Sequence, residues 1–297
     1  MRILLTGKTG QVGHELERSL SGLGEIIAVD RSQMDLSDLV QVRDVIRAVK
    51  PDLIINPAAY TAVDKAESEP ELAMRINGEA PGVMAEEAKK IGAAMIHYST
   101  DYVFDGSKNT PYVEDDPTCP MSVYGKTKLA GEQAIQAAGI PHLILRTSWV
   151  YGMHGKNFLL TMLRLAQERD ELRIVADQHG SPTWCGTIAD STAAIVAKII
   201  DVKGASDWLR QHSGIYHLTC QGQTTWYGFT KAILEAANIE KKPLLTPIST
   251  QDYPLPAKRP AYSVMSGEKF ISNFSDLPSW ESALAVCLQK KIFSDSV

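Results

Sequence analysis

The chain has 297 residues, 44% of them hydrophobic and 22% charged, and a formal net charge of −5. That length accommodates one large α/β unit or two unequal lobes. The acidic balance, with no basic run longer than "KK", excludes a nucleic-acid-binding surface. No apolar run approaches the roughly 20 residues that span a bilayer, and "MRILLTGKTG" lacks the apolar core and cleavage site of a signal peptide, so the chain is expected in the cytoplasm and off the membrane. Cys119, Cys185, Cys220 and Cys287 form no CxxC, and the histidines form no HxxxH. Reduced thiols and no catalytic transition metal are therefore expected.

In chain order, the pattern predicts a strand over 2–6, a helix over 11–21 and a strand over 25–30. A helix over 38–50 stops before Pro51, a strand covers 52–56, and one long helix runs through 71–91. Strands at 94–99 and 142–148 flank a helix that begins near Tyr124. Continuously apolar strands alternating with helices give a doubly wound parallel α/β sheet of Rossmann type. Beyond residue 150 the rhythm loosens into a helix over 157–168, a strand over 172–177, a loop over 177–184, a helix over 188–201 and a strand over 214–220. The Pro-rich stretch 241–263 reads as an ordered excursion over a site. The expected division is a dinucleotide-binding domain over 1–150, with some later segments returning to it. A smaller, mainly substrate-binding C-terminal lobe would occupy 151–297.

"TGKTGQVG" sets Gly7, Gly10 and Gly13 between the first strand and the first helix. Glycine allows the tight turn and close backbone approach, and a helix N-terminus offers free N–H groups to a diphosphate. The spacing is GxxGxxG rather than GxGxxG, and a plain strand–helix turn would also use it. Asp30 ends the second strand, where an acid would bond an adenosine ribose, although a solvated carboxylate is the alternative. Arg31 beside it could pair with a 2′-phosphate, which leaves NADH and NADPH both open. Asp35 and Leu36 could lie by the adenine, or the acid could serve as a helix cap. The small residues of "NPAAYT", Ala58 among them, suit a backbone path pressed against the coenzyme.

Tyr124 and Lys128 are four residues apart and share a helix face. An ammonium near a phenol favours phenolate, lowering a pKa whose reference is about 10. A phenol so tuned can protonate a developing alkoxide. Thr100 closes the fourth strand at the carboxyl edge, where such sheets bind ligands, and could donate to a substrate carbonyl. On its own, YxxxK also fits a core tyrosine and a solvated lysine. Its weight comes from the order glycine loop, Asp30, Thr100, Tyr124, Lys128.

With "AVDKAESEPELAMRIN", "HYSTDYVFDG", "VYGKTKLAGE", "LRTSWVYG", "DQHGSPT" and "KRPAYS", this set resembles the dTDP-4-dehydrorhamnose reductase family, in the extended branch of the short-chain dehydrogenase/reductase superfamily. The resemblance runs from residue 2 to about 288. It implies NAD(P)H-dependent reduction of the C4 ketone of dTDP-6-deoxy-L-lyxo-4-hexulose to dTDP-L-rhamnose. By the same resemblance Tyr124 is the proton donor, Thr100 its partner at the carbonyl, and Lys128 the tyrosine tuner and coenzyme anchor. Thr100 and Asp101 would hold sugar hydroxyls, Trp149 would pack on the sugar, and Arg259 would contact the diphosphate. Without the resemblance, Trp149 reads as a core aromatic and Arg259 as a solvated cation. Gln11, Val12, Asp30, Asp35, Leu36, Ala59, Tyr60 and Thr61 would line the dinucleotide.

The resemblance also raises a homodimer bridged by a divalent ion such as magnesium, held by acids that include one near Glu15 and one just after the "PT" loop. Gly186 stands where the latter acid is sought, which argues against the bridging metal and equally against that dimer without excluding either. Three rivals remain: a 4-ketoreductase of opposite stereochemistry making a 6-deoxytalose nucleotide, a nucleotide-sugar epimerase, and a non-catalytic coenzyme-binding subunit.

Overall fold

The computed structural model describes residues 1–202, 205–237, 239 and 242–294. Strand β1 (Arg2–Leu5) leads through the glycine loop into α1 (Gln11–Ser19), followed by β2 (Glu25–Ala28), α2 (Leu39–Val49) and β3 (Leu53–Asn56). The short α3 (Val63–Ala66) and α4 (Pro70–Met74) precede α5 (Ala80–Ile91), β4 (Ala94–Thr100), α6 (Val123–Ala138) and β5 (His142–Thr147). The later half contributes β6 (Val150–Tyr151), α7 (Phe158–Glu168), β7 (Glu171–Val175), β8 (His179–Gly180), β9 (Thr183–Trp184) and α8 (Cys185–Asp201). It continues with α9 (Ala205–Gln211), β10 (Gly214–His217), β11 (Thr224–Thr225), α10 (Trp226–Ala236), β12 (Leu244–Ile248), α11 (Glu268–Asn273) and α12 (Trp280–Ser294).

The six-stranded sheet runs in the order β2-β1-β3-β4-β5-β10, with every pairing parallel. β3 and β4 are buried along their whole length, as a strand covered on both faces must be. One face packs Ile3, Leu5 and Ile96 against Leu16 and Ile188; the other packs Leu4, Ile54 and Met95 against Ile46 and Met84. The order in which strands are added reverses between β1 and β3, which opens a crevice at their carboxyl ends. β10 is a C-terminal segment that joins the edge of this sheet beside β5. A separate cluster of Tyr151, Leu163, Trp184, Phe229 and Leu284 forms the core of the later half.

Local chemistry sets the boundaries. Asp38 caps α2 by accepting from the Val40 and Gln41 amides, and Lys50 closes it in the left-handed region just before Pro51. Ser122 caps α6 through the Gly125 amide. The single helix predicted over 71–91 is interrupted by a π-helical turn at Arg75–Glu79. Asn77, buried in that turn, accepts from the Tyr60 amide at 2.8 Å and donates to the Tyr60 carbonyl and to Thr127. The distortion aims one amide side chain at the 57–61 segment, a common use of π-bulges at functional sites. The predicted 177–184 loop carries the short strands β8 and β9. In the 241–263 stretch, residue 241 lies outside the described residues, and β12 pairs parallel with β7.

Candidate active site

The glycine loop crosses the crevice at the end of β1. Gly7 has φ 61°, a left-handed conformation, and a Cβ there would meet Ala58 Cβ at 3.0 Å. A Cβ on Gly13 would lie 2.0 Å from the Gly7 carbonyl oxygen, so the loop closes onto the start of α1 only with glycine at that position. Gly10 is the N-cap of α1 and makes no side-chain cap, leaving first-turn amides for an anion. Gln11 Oε1 is buried without a partner among the described residues. An orphaned acceptor beside a cradle that any added Cβ would fill fits a bound dinucleotide.

Asp30 accepts from the Ser32 amide at 2.9 Å and its hydroxyl at 2.6 Å, with Lys8 Nζ 3.6 Å away. Those Ser32 bonds, then Lys8, hold its carboxyl below the usual range. Arg31 is exposed and pairs with Asp35 at 3.1 Å. Burial would raise Asp35, but bonds from Ser37 and Arg31 outweigh it and hold the carboxyl low. Leu36 packs into the core with Met34 and Val42. Ala58 and Ala59 are half-buried, Thr61 is exposed, and Tyr60 donates to Glu69 at 2.7 Å.

Thr100, Asp101, Tyr102 and Tyr124 come together where β4 ends and α6 begins. A Cβ on Gly125 would lie 2.2 Å from the Tyr102 carbonyl oxygen, so glycine lets the first turn of α6 press against that segment. The rings of Tyr102 and Tyr124 meet edge to face at 5.6 Å. Burial pushes the Tyr124 phenol up to about 12, opposed by a hydrogen bond with Thr100 and reinforced by Asp101. This is opposite to the lowering expected from Lys128. The reason is geometric: Lys128 Nζ donates to the Tyr98 carbonyl at 2.7 Å and sits 3.2 Å from His97 Nε2, inside the sheet. Burial depresses Lys128 to about 8, with Glu132 pulling the other way. Asp101 is 1% exposed and is pushed by burial up to about 6, with the Ser263 and Thr100 hydroxyls opposing the rise. Its Oδ1 accepts from Thr100 at 3.1 Å, and its Oδ2 has no partner among the described residues.

Beyond this edge lies a cavity of about 920 Å³, lined by Met121, Phe158, Arg169, Trp226, Tyr253 and Arg259 among others. Four cations (Arg169, Arg173, Lys258 and Arg259) face two acids, Glu171 and Asp252, along its wall, a balance suited to a diphosphate. The Pro-rich excursion supplies one side of the cavity. Arg259 is not a free cation: it grips Asp64 in a fork at 2.7 and 3.0 Å and also donates to the Ala257 carbonyl. Trp149 follows β5 with φ 45°, an outlier for so bulky a residue. Its ring stacks on Trp226 at 3.5 Å and 7°. Trp226, Asp64, His97 and Asn77 escape sequence reasoning because they reach the site through contacts distant in sequence.

The residues do not fit a bridging metal. A Cβ on Gly186 would lie 2.3 Å from Trp184 Cζ2, so an acid there would displace the indole. Arg18 pairs with Glu15 at 2.7 Å and stands 3.9 Å from Asp190, offsetting part of the acidic charge of that surface. Among the described residues no group of three or more potential ligands gathers, and no helix is long and apolar enough to cross a membrane.

The family described as RmlD substrate binding domain matches residues 1–292. The dTDP-4-dehydrorhamnose reductase of Burkholderia thailandensis is 48% identical over 296 residues, covering 97% of this chain and 98% of that protein. The enzyme of the same name from Escherichia coli K12 is 47% identical over 290 residues, covering 95% of each. Among solved structures, a dTDP-4-dehydrorhamnose reductase from Bacillus anthracis in complex with NADP superposes with a TM-score of 0.89. It is 34% identical and covers 97% of this chain and 99% of that one.

Proposed function

The chain belongs to the RmlD substrate binding domain family, with full-length dTDP-4-dehydrorhamnose reductases as its relatives, and on that premise we propose how its residues carry out the reaction. It reduces the C4 ketone of dTDP-4-dehydro-6-deoxy-L-mannose to dTDP-L-rhamnose. The observation that carries the mechanism is the half-buried Tyr124 phenol beside the Thr100 hydroxyl at the carboxyl edge of the sheet, its pKa raised by desolvation.

Gly7, Gly10, Gln11, Val12 and Gly13 hold the diphosphate of a nicotinamide coenzyme, and Ala58, Ala59, Tyr60 and Thr61 form the opposite wall. Asp30 accepts from an adenosine ribose hydroxyl. Lys8 and Arg31 flank it as cations, so the site takes NADPH or NADH. The coenzyme, when bound, supplies the hydride. Thr100 donates to the ketone oxygen and steadies the charge developing there. Tyr124 then gives its proton to that oxygen. With a pKa near 12 the phenol keeps its proton in the resting site, yet an alkoxide is a far stronger base than a phenolate, so the transfer runs downhill. Lys128, held by the Tyr98 carbonyl and His97, anchors the nicotinamide ribose from that position rather than tuning the phenol. Asp101 accepts from a sugar hydroxyl through Oδ2, Trp149 packs on the sugar, and Arg259, oriented by Asp64, meets the diphosphate. The segments within 151–297 that do not join the large sheet form the substrate lobe.

The test is incubation with the dTDP-ketosugar and each reduced coenzyme, following coenzyme absorbance and the configuration of the product by NMR. Stoichiometric consumption with an L-rhamno product is expected. A 6-deoxy-L-talo product would make the chain the stereochemical sibling, and turnover without coenzyme consumption would make it an epimerase.

A further inference from the structure

A line of polar side chains crosses the interior of the sheet from the glycine loop to Lys128. Thr6, at the end of β1, donates to Asn56 Oδ1 at 2.6 Å. Asn56 Nδ2 faces His97 Nδ1 at 3.1 Å, and His97 Nε2 faces Lys128 Nζ at 3.2 Å. At the far end the Thr6 hydroxyl accepts from the Ala58 amide at 3.4 Å, and Ala58 forms the wall against Gly7. All four side chains are at most 2% exposed. Four consecutive polar groups in a core would be costly unless each is satisfied. The mechanism above uses only the last of them.

We propose that Thr6, Asn56 and His97 form a relay whose direction follows the charge on Lys128, with His97 as the positioning residue that ties the lysine to the wall of the coenzyme crevice. This rests on the reading that Lys128 serves the reaction. An ammonium only donates, so His97 Nε2 must then be bare and the ring proton must sit on Nδ1. With the Asn56 amide turned over, Nδ1–H then donates to Asn56 Oδ1, and Asn56 Nδ2 donates to the Thr6 hydroxyl. A neutral amine at Lys128 accepts instead. The ring proton then sits on Nε2, Nδ1 accepts from Asn56 Nδ2, and Thr6 donates to Oδ1. His97 carries one ring proton in both directions, so the net change is the single proton that Lys128 loses.

Burial keeps His97 neutral, well below its usual pKa, and brings Lys128 to about 8, where both directions are accessible. The charged and titratable groups around the lysine are His97 on β4, Tyr124 one turn earlier, and Glu132 one turn later on α6. Glu132 is itself forked onto Arg146 of β5 at 2.7 and 3.0 Å.

The full chain labelled with nitrogen-15 at histidine is titrated from about pH 6 to about pH 10 and the ring nitrogens read by NMR; the His97 signals are those lost in His97→Gln. The expected result is an Nδ1–H tautomer at neutral pH that gives way to Nε2–H with a midpoint of about 8, and no change with pH in Lys128→Met. A single tautomer throughout in the wild type, or a switch that survives Lys128→Met, overturns the relay. In kinetics, His97→Leu moves the alkaline limb of kcat down by about one pH unit and weakens NADPH binding about tenfold, while His97→Gln, which keeps an acceptor, restores both. A folded His97→Leu with an unchanged pH profile also overturns it; if that variant does not fold, the wild-type titration decides alone. An active enzyme without the switch refutes only the relay, whereas a switch in a chain that leaves the ketosugar untouched refutes only the proposed function.

Discussion

At the scale of single residues, burial decides the chemistry. Asp101 is the clearest case. Its folded-state pKa of about 6 lies above the model-compound value of 3.8, so the native state holds the proton more tightly than the unfolded chain does. Its contribution is most favourable below about pH 4 and is lost as pH rises through about 6, at a cost of about 2–3 kcal/mol. Asp101→Asn is therefore expected to raise stability by about 1–3 kcal/mol at pH 7 and by little at pH 4, measured by thermal or urea unfolding at both pH values. It should also raise KM for the ketosugar if, as proposed, the unpartnered Oδ2 accepts from the substrate. Thr100, Tyr124 and Lys128 were legible from their places at a strand end and a helix start. The direction of the Tyr124 shift was not. A four-residue spacing places two side chains on one face, but it does not say that the longer one turns inward to His97 and the Tyr98 carbonyl.

At the scale of elements, close backbone approach is what assembles the site. Gly125 lets α6 rest on the Tyr102 carbonyl. Gly125→Ala forces the helix outward, and a displacement near 1 Å at the proton donor is expected to lower kcat about 100-fold while coenzyme affinity changes little. Steady-state kinetics alongside a coenzyme titration reads both. Further along α6, Glu132 and Arg146 form an ion pair exposed by at most 2%, and Arg146 Nη1 is already buried without a partner among the described residues. Glu132→Gln leaves that guanidinium unbalanced and is expected to cost about 3–5 kcal/mol in unfolding free energy. Strand and helix order was readable from apolar runs and from the stop before Pro51. The π-turn at Arg75–Glu79 was not, because its cause is the tertiary grip of Asn77 on Tyr60, which leaves the helical periodicity of 71–91 intact. For the same reason the stacking of Trp149 on Trp226, 77 positions apart in "TSWVYG" and "TTWYGF", has no local signal.

At the scale of the whole molecule, a coenzyme crevice at the turnover point of the sheet faces a cation-lined cavity of about 920 Å³ built from later segments. The sheet was legible because buried parallel strands write themselves as continuous apolar runs. The cavity was legible only as a Pro-rich excursion of unusual length. The described residues do not favour a metal here, since Arg18 pairs with the acidic surface at Glu15 and Asp190 and Trp184 fills the space over Gly186. Treatment with EDTA is accordingly expected to leave both turnover and melting temperature unchanged, and a loss of activity restored by magnesium would contradict that reading. The role proposed for Tyr124 is tested most directly by Tyr124→Phe, assayed in parallel for NADPH affinity and for reduction of the dTDP-ketosugar. The expected result is near-wild-type NADPH binding with kcat reduced by about 10²–10⁴, and turnover close to wild type would contradict it.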